Sequence, residues 1–182
     1  MRKQKLTSPS SSMHLDNPVR TFIQNPQRIL KDYVKEGMIV LDIGCGPGLF
    51  SYGMAKMVGE KGKVVATDIQ QEMLNKLKNK IRGSKVEKII TIHKSGKTNF
   101  NLSEKFDFIL SFYVLHEIEN KKGFFEGLKK LMKNQTKILL AEPLFHVSKN
   151  DFEEMLTIAE EAGFKIIKRP KISLSRAVLL SR

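Results

Sequence analysis

Between residues 39 and 180 the chain alternates short β-rich runs with amphipathic runs of helical period, and few folds accommodate that alternation. The β-rich runs are 39–43, 63–67, 88–93, 106–112, 136–142, 164–168 and 176–180. The first five are almost continuously apolar, the pattern of strands covered on both faces. Between them, residues 70–81 place Met73, Leu74, Leu77 and Ile81 on one helical stripe, and residues 121–133 do the same with Phe124, Phe125, Leu128, Leu131 and Met132. Ser148 with Asp151 reads as the N-cap pair of a helix whose apolar positions are Phe152, Met155, Leu156 and Ala159, ended by Gly163. The order predicts an α/β fold, a Rossmann-like, seven-stranded, mostly parallel sheet with helices on both faces. About seven residues separate the last two runs, too few for a parallel crossover, so the last strand should be antiparallel.

In such a sheet a ligand binds at the carboxyl ends of the strands, beside the first of them. There the chain reads Leu41-Asp-Ile-Gly44-Cys45-Gly46-Pro47-Gly48. The third glycine comes one residue earlier than in a dinucleotide fingerprint, and no lysine followed by Ser or Thr closes a phosphate loop. Asp42 would repel a diphosphate, and Pro47 removes one backbone N–H that could cradle one. Asp68 ends the second run, where an acid that accepts from ribose hydroxyls is expected. Together these residues describe a nucleoside-like, cationic, phosphate-free ligand.

The chain closely resembles the class I S-adenosylmethionine-dependent methyltransferases over roughly residues 37–182. The likeness rests on Val40-Leu-Asp42-Ile-Gly44-Cys-Gly46-Pro-Gly48, on Thr67-Asp68-Ile-Gln-Gln-Glu-Met73, and on Phe106-Asp-Phe-Ile-Leu-Ser111-Phe-Tyr-Val-Leu-His116-Glu. It implies S-adenosyl-L-methionine as cofactor, with S-adenosyl-L-homocysteine as product. Asp42 and the backbone of Gly44 and Gly46, with Cys45 between them, should face the methionyl ammonium and carboxylate, and Gly48 should open the next helix close to the ligand. Asp68 should hold the ribose hydroxyls, Ile69 and Met73 should flank the adenine, and Ser111 should lie beside the methionine moiety. Many relatives place an acid after the third strand to meet the adenine amino group. Here the segment reads His93-Lys-Ser95, so Ser95 or backbone would serve.

The acceptor is less defined. His116 and His146 follow the fourth and fifth strands and should emerge at the ligand edge, with Tyr113, Glu117 and the N-terminal His14 completing a candidate acceptor pocket. A satisfied polar residue in a loop is the competing reading for each histidine, and the spacing supplies no metal site. A small-molecule acceptor is expected, as in the quinone-biosynthesis C-methyltransferases. An acidic or Asn residue followed by Pro-Pro, the mark of DNA amino-methyltransferases, is absent after the fourth strand, and the single cysteine sits in the cofactor loop rather than at a catalytic or metalloid-binding position. An RNA methyltransferase, and a non-catalytic cofactor-binding protein, are the alternatives.

At 182 residues the chain fits one methyltransferase core, residues 37–182, preceded by a helical cap over the site at 13–36 and a disordered basic, serine-rich tail at 1–12. No apolar run approaches the roughly 20 residues needed to span a bilayer, and the start lacks a secretory signal, so a soluble cytoplasmic protein is expected. The net charge of +13 favours an anionic partner, yet the lysines read along the sequence as a solvated surface spread over every helix and loop.

Overall fold

The computed structural model describes residues 24–182; the tail, His14 and the rest of 13–23 lie outside them. Seven strands form one sheet: β1 (Ile39–Ile43), β2 (Lys63–Asp68), β3 (Ile90–Lys94), β4 (Phe106–Phe112), β5 (Met132–Pro143), β6 (Lys165–Lys168) and β7 (Ser175–Ser181). Their order is β3-β2-β1-β4-β5-β7-β6. The first five run parallel, and β7 inserts between β5 and β6 antiparallel to both, as the short final connection requires.

Helices α1 (Pro26–Leu30), α2 (Leu49–Val58) and α3 (Gln71–Ile81) bury Leu30, Met54, Val58, Leu74 and Leu77 against one face of the sheet. Helices α4 (Lys121–Lys130) and α5 (Lys149–Glu161) bury Phe124, Phe125, Leu128, Phe152 and Leu156 against the other. Consecutive strand residues alternate between these layers: Val40 packs with the first and Leu41 with the second. Strands β1, β2, β4, β5 and β7 are therefore apolar on both sides, at about 1.5–3 kcal/mol for each fully buried Val, Leu, Ile or Phe side chain. Ser148 accepts from the Asp151 amide while Asp151 accepts from the Ser148 amide, the capping box that starts α5, and Gly163 ends it at φ +84°.

Three boundaries differ from the sequence expectation. The apolar stripe 121–133 is helical only to Lys130, with Leu131 as its cap, and Met132 already pairs with Phe106 in β5. Both Leu131 and Met132 stay buried, so burial alone could not separate helix from strand there. Thr136 fixes the change by accepting from the Lys133 amide and donating to the Phe106 carbonyl at 2.5 Å. Strand β3 begins at Ile90 rather than 88, because residues 84–89 form turns, and it is exposed at Thr91 and Lys94 because it is a sheet edge. No helix intervenes in residues 95–105.

Candidate functional site

The parallel strands end at a cleft of about 310 Å³, formed where β1 and β4 separate from the helices that follow them. Gly44 and Gly46, with positive φ of +64° and +53°, turn the chain from β1 toward α2. A side chain at Gly46 would meet nothing within 4 Å and would project into open space at the cleft, whereas one at Gly44 would collide with Val114. The loop is tied to β2, the Cys45 amide donating to the Thr67 carbonyl at 2.9 Å and the Gly46 amide to Asp68 Oδ2 at 3.0 Å. Asp68 Oδ1 accepts from the Gln70 amide at 2.8 Å, so the carboxylate is fixed in place at the cleft wall. Burial raises its pKa above the usual value, against the two backbone donations.

Asp42 is 2% exposed and receives the Ser51 hydroxyl at 2.5 Å from the first turn of α2. Burial, opposed by that hydrogen bond and reinforced by Asp68, lifts its pKa from 3.8 to about 7. Burial also pushes the Cys45 thiol up, with Asp42 and Asp68 adding to it, which keeps the thiol protonated and unreactive. Two buried carboxylates beside a loop without a cation favour a ligand that brings its own positive charge. The fit to S-adenosylmethionine therefore holds on three counts: space kept at Gly46, acids at Asp42 and Asp68, and no lysine in the loop.

Of the sequence-predicted cofactor residues, Asp42, Gly44, Cys45, Gly46, Asp68, Ile69, Met73 and Ser95 line the cleft, and Gly48 and Ser111 do not. Gly48 sits at φ +87° under α3, where a Cβ would lie 2.3 Å from Leu77 Cδ1. Ser111 is fully buried opposite Ile43, and its hydroxyl finds no hydrogen-bond partner among the described residues. The Ser95 amide donates to the Asp68 carbonyl at 3.2 Å.

Of the residues expected at the acceptor, Tyr113, His116, Glu117 and His146 line the same cleft. The ring of His116 lies 6.2 Å from that of His146, nearly perpendicular to it. Nδ1 of His116 meets Glu142 Oε2 at 2.5 Å, and Glu142 Oε1 accepts from the Leu115 amide at 2.8 Å. Burial disfavours the charged ring, but the hydrogen bond and charge of Glu142, with Glu117 nearby, outweigh it and hold the His116 pKa above its ordinary value. Glu142 is fully buried, and sequence reasoning missed it, because its partner is 26 residues away across the β4–β5 pair. The one signal was a carboxylate at the end of an apolar strand. Tyr113, with a strained φ of +66°, is engaged at its hydroxyl by Gln24, Leu174 and Ser175. His93 bonds the Phe100 carbonyl away from this group. Among the described residues, no set of three His, Cys, Asp or Glu is arranged to hold a metal, and no helix is long and apolar enough to cross a membrane.

A family described as "Methyltransferase domain" matches residues 34–169. A solved S-adenosylmethionine-dependent methyltransferase from Aquifex aeolicus is 30% identical, with a TM-score of 0.86 over 96% of this chain and 98% of that one. A demethylmenaquinone methyltransferase of Lactobacillus johnsonii is 27% identical over 60% of this chain and 45% of its own length. A ribosomal protein L11 methyltransferase of Dictyoglomus turgidum is 28% identical over 77% of this chain and 43% of its own. The matches thus span less than half the length of these two named relatives.

Proposed function

The chain belongs to the S-adenosylmethionine-dependent methyltransferase family, and from that premise we propose that it is an enzyme that methylates a small-molecule acceptor at an atom that loses a proton. The observation that carries the reading is the His116–Glu142 pair, whose His116 lines the same cleft as Asp68 and the glycine loop. When bound, S-adenosylmethionine supplies an electrophilic methyl group. Asp68 would hold its ribose hydroxyls, Asp42 and the Gly44–Gly46 backbone its methionyl end, and Ile69 and Met73 its adenine.

Alignment of donor and acceptor supplies much of the catalysis in such a displacement. The chain's own chemical contribution is proton removal. Glu142 fixes the proton on Nδ1 of His116, so exchange with the acceptor falls to Nε2, and its negative charge stabilises the imidazolium that forms. Tyr113 and His146 border the acceptor side, and His14 in the 13–36 segment would complete it. Support for that segment as a cap comes from Gln24, 4% exposed, whose amide donates to the Tyr113 hydroxyl at 2.5 Å.

The test is S-adenosylhomocysteine formation from S-adenosylmethionine with demethylmenaquinol in one arm and ribosomal protein L11 in the other, the acceptor types named by the two relatives. Turnover with the quinol that His116→Ala abolishes supports the reading. Turnover with L11 alone overturns the small-molecule assignment, and absence of S-adenosylhomocysteine binding overturns the cofactor site.

A further inference from the structure

The positive charge is not spread evenly. Residues 71–97 carry eight Lys or Arg against Glu72 and Glu87, a net +6 of the chain's +13. The rest of the described chain, a far longer stretch, carries twenty against sixteen acids. Along the sequence these lysines read as part of a solvated surface; in space α3 packs on β2 and β3, and β3 is the edge of the sheet. Consecutive basic residues therefore gather on one flank. The +6 already counts both acids; Glu72 offsets Lys76 in an ion pair, and Glu87 accepts from the Gly83 amide.

Lys78, Arg82, Lys85 and Lys88 are exposed along α3 and the turns after it, and Lys94 and Lys97 are exposed where β3 ends. Lys97 also lines the cleft. An eleven-residue helix is about 16 Å long, so the flank extends roughly that far from the cleft mouth. That length spans several phosphates of one nucleic-acid strand.

We propose that this flank binds the phosphate backbone of RNA and holds it beside the cleft. The chemistry fits a polyanion rather than a lipid surface: the exposed large apolar side chains, Leu144, Phe145, Ile167 and Leu174, belong to other parts of the sheet, and none belongs to residues 71–97 to enter a bilayer. It fits RNA rather than DNA because α3 lies flat on the sheet, buried along Met73, Leu74, Leu77 and Ile81. Such a helix presents point charges to a wide, shallow groove and is not free to enter a DNA major groove. The proposal stands apart from the acceptor assigned above, since RNA can dock here whether or not it carries the methylated atom.

The test measures anisotropy of a labelled RNA hairpin with the full chain at 50–200 mM salt. One variant reverses the flank (Lys78, Arg82, Lys85 and Lys88, each to Glu); the other reverses four exposed charges elsewhere (Lys149, Lys165, Lys171 and Arg182, each to Glu). Wild type should lose about a hundredfold in affinity across that salt range if some four phosphates are neutralised. The flank variant should bind at least tenfold more weakly at 50 mM, and the other variant within threefold of wild type. Equal losses in both variants overturn the proposal, as does absence of hairpin binding at 50 mM, tighter binding of a DNA duplex, or flank-dependent binding to phosphatidylserine vesicles in place of RNA. S-adenosylhomocysteine calorimetry on each variant separates this outcome from a failure of the cofactor site. If charge reversal prevents folding, the same four flank residues changed to Gln give the comparison.

Discussion

Replacing Asp42 by Asn should change ligand-free stability and cofactor binding in opposite directions. The carboxyl is buried beneath the glycine loop, and its pKa stands near 7 against an ordinary 3.8. About three units correspond to about 4 kcal/mol. The folded state holds this proton more tightly than the unfolded one, so the stability tied to it is fully present below about pH 4 and is lost as pH rises through about 7, leaving a deficit of about 4 kcal/mol at pH 8 relative to pH 4. Asn never ionises and avoids that deficit, but it buries an amide NH₂ opposite Ser51, at about 1–3 kcal/mol. The variant should therefore be about 1–3 kcal/mol more stable than wild type at pH 8 and less stable by a similar amount at pH 4, read from urea unfolding followed by circular dichroism. Calorimetry at pH 8 should show S-adenosylhomocysteine binding weakened by roughly 1.5–3 kcal/mol, because a charged partner of the ligand's ammonium is gone. A stability difference that keeps one sign from pH 4 to pH 8 would refute the assignment of burial as the dominant cause. Unchanged affinity would remove Asp42 from the ligand.

Asp68→Ala should weaken S-adenosylhomocysteine binding by about 1–3 kcal/mol in the same titration, and the Gly46 and Gln70 amides it anchors should exchange with solvent faster. His116→Ala should cost about 10²–10⁴ in kcat with little change in S-adenosylhomocysteine affinity, the separation expected of a base that does not touch the cofactor. Glu142→Gln should lower the His116 pKa, since the hydrogen bond and charge of Glu142 are what hold it up against burial. Activity that depends on neutral His116 falls as pH drops through that pKa, so the acid limb of the rate profile should move to lower pH; an unmoved limb would show that His116 is not the titrating base. Gly48→Ala should destabilise the fold by about 2–4 kcal/mol, from the positive φ and the 2.3 Å approach to Leu77, with a lower Tm as readout.

The parts of this molecule that were legible in the sequence are those set by short-range chemistry. The glycine turn, the acids that end β1 and β2, the α5 capping box and the antiparallel β7 each follow from a few neighbouring residues and a steric or electrostatic rule. What stayed hidden depends on which elements become neighbours. Glu142 looked like one more strand residue until β4 and β5 paired and brought His116 to it. The lysines of 71–97 read as solvated positions, and most are exposed; that they lie on the edge strand and the helix packed on it is visible only from the strand order. The same logic orders the site: the glycine-loop side is built from local loop geometry and announces itself in the sequence, while the proposed acceptor side is assembled by strand pairing from residues far apart. Substitutions that redirect acceptor choice should therefore fall among Tyr113, His116, Glu142 and His146 and leave the loop at Gly44–Gly48 untouched.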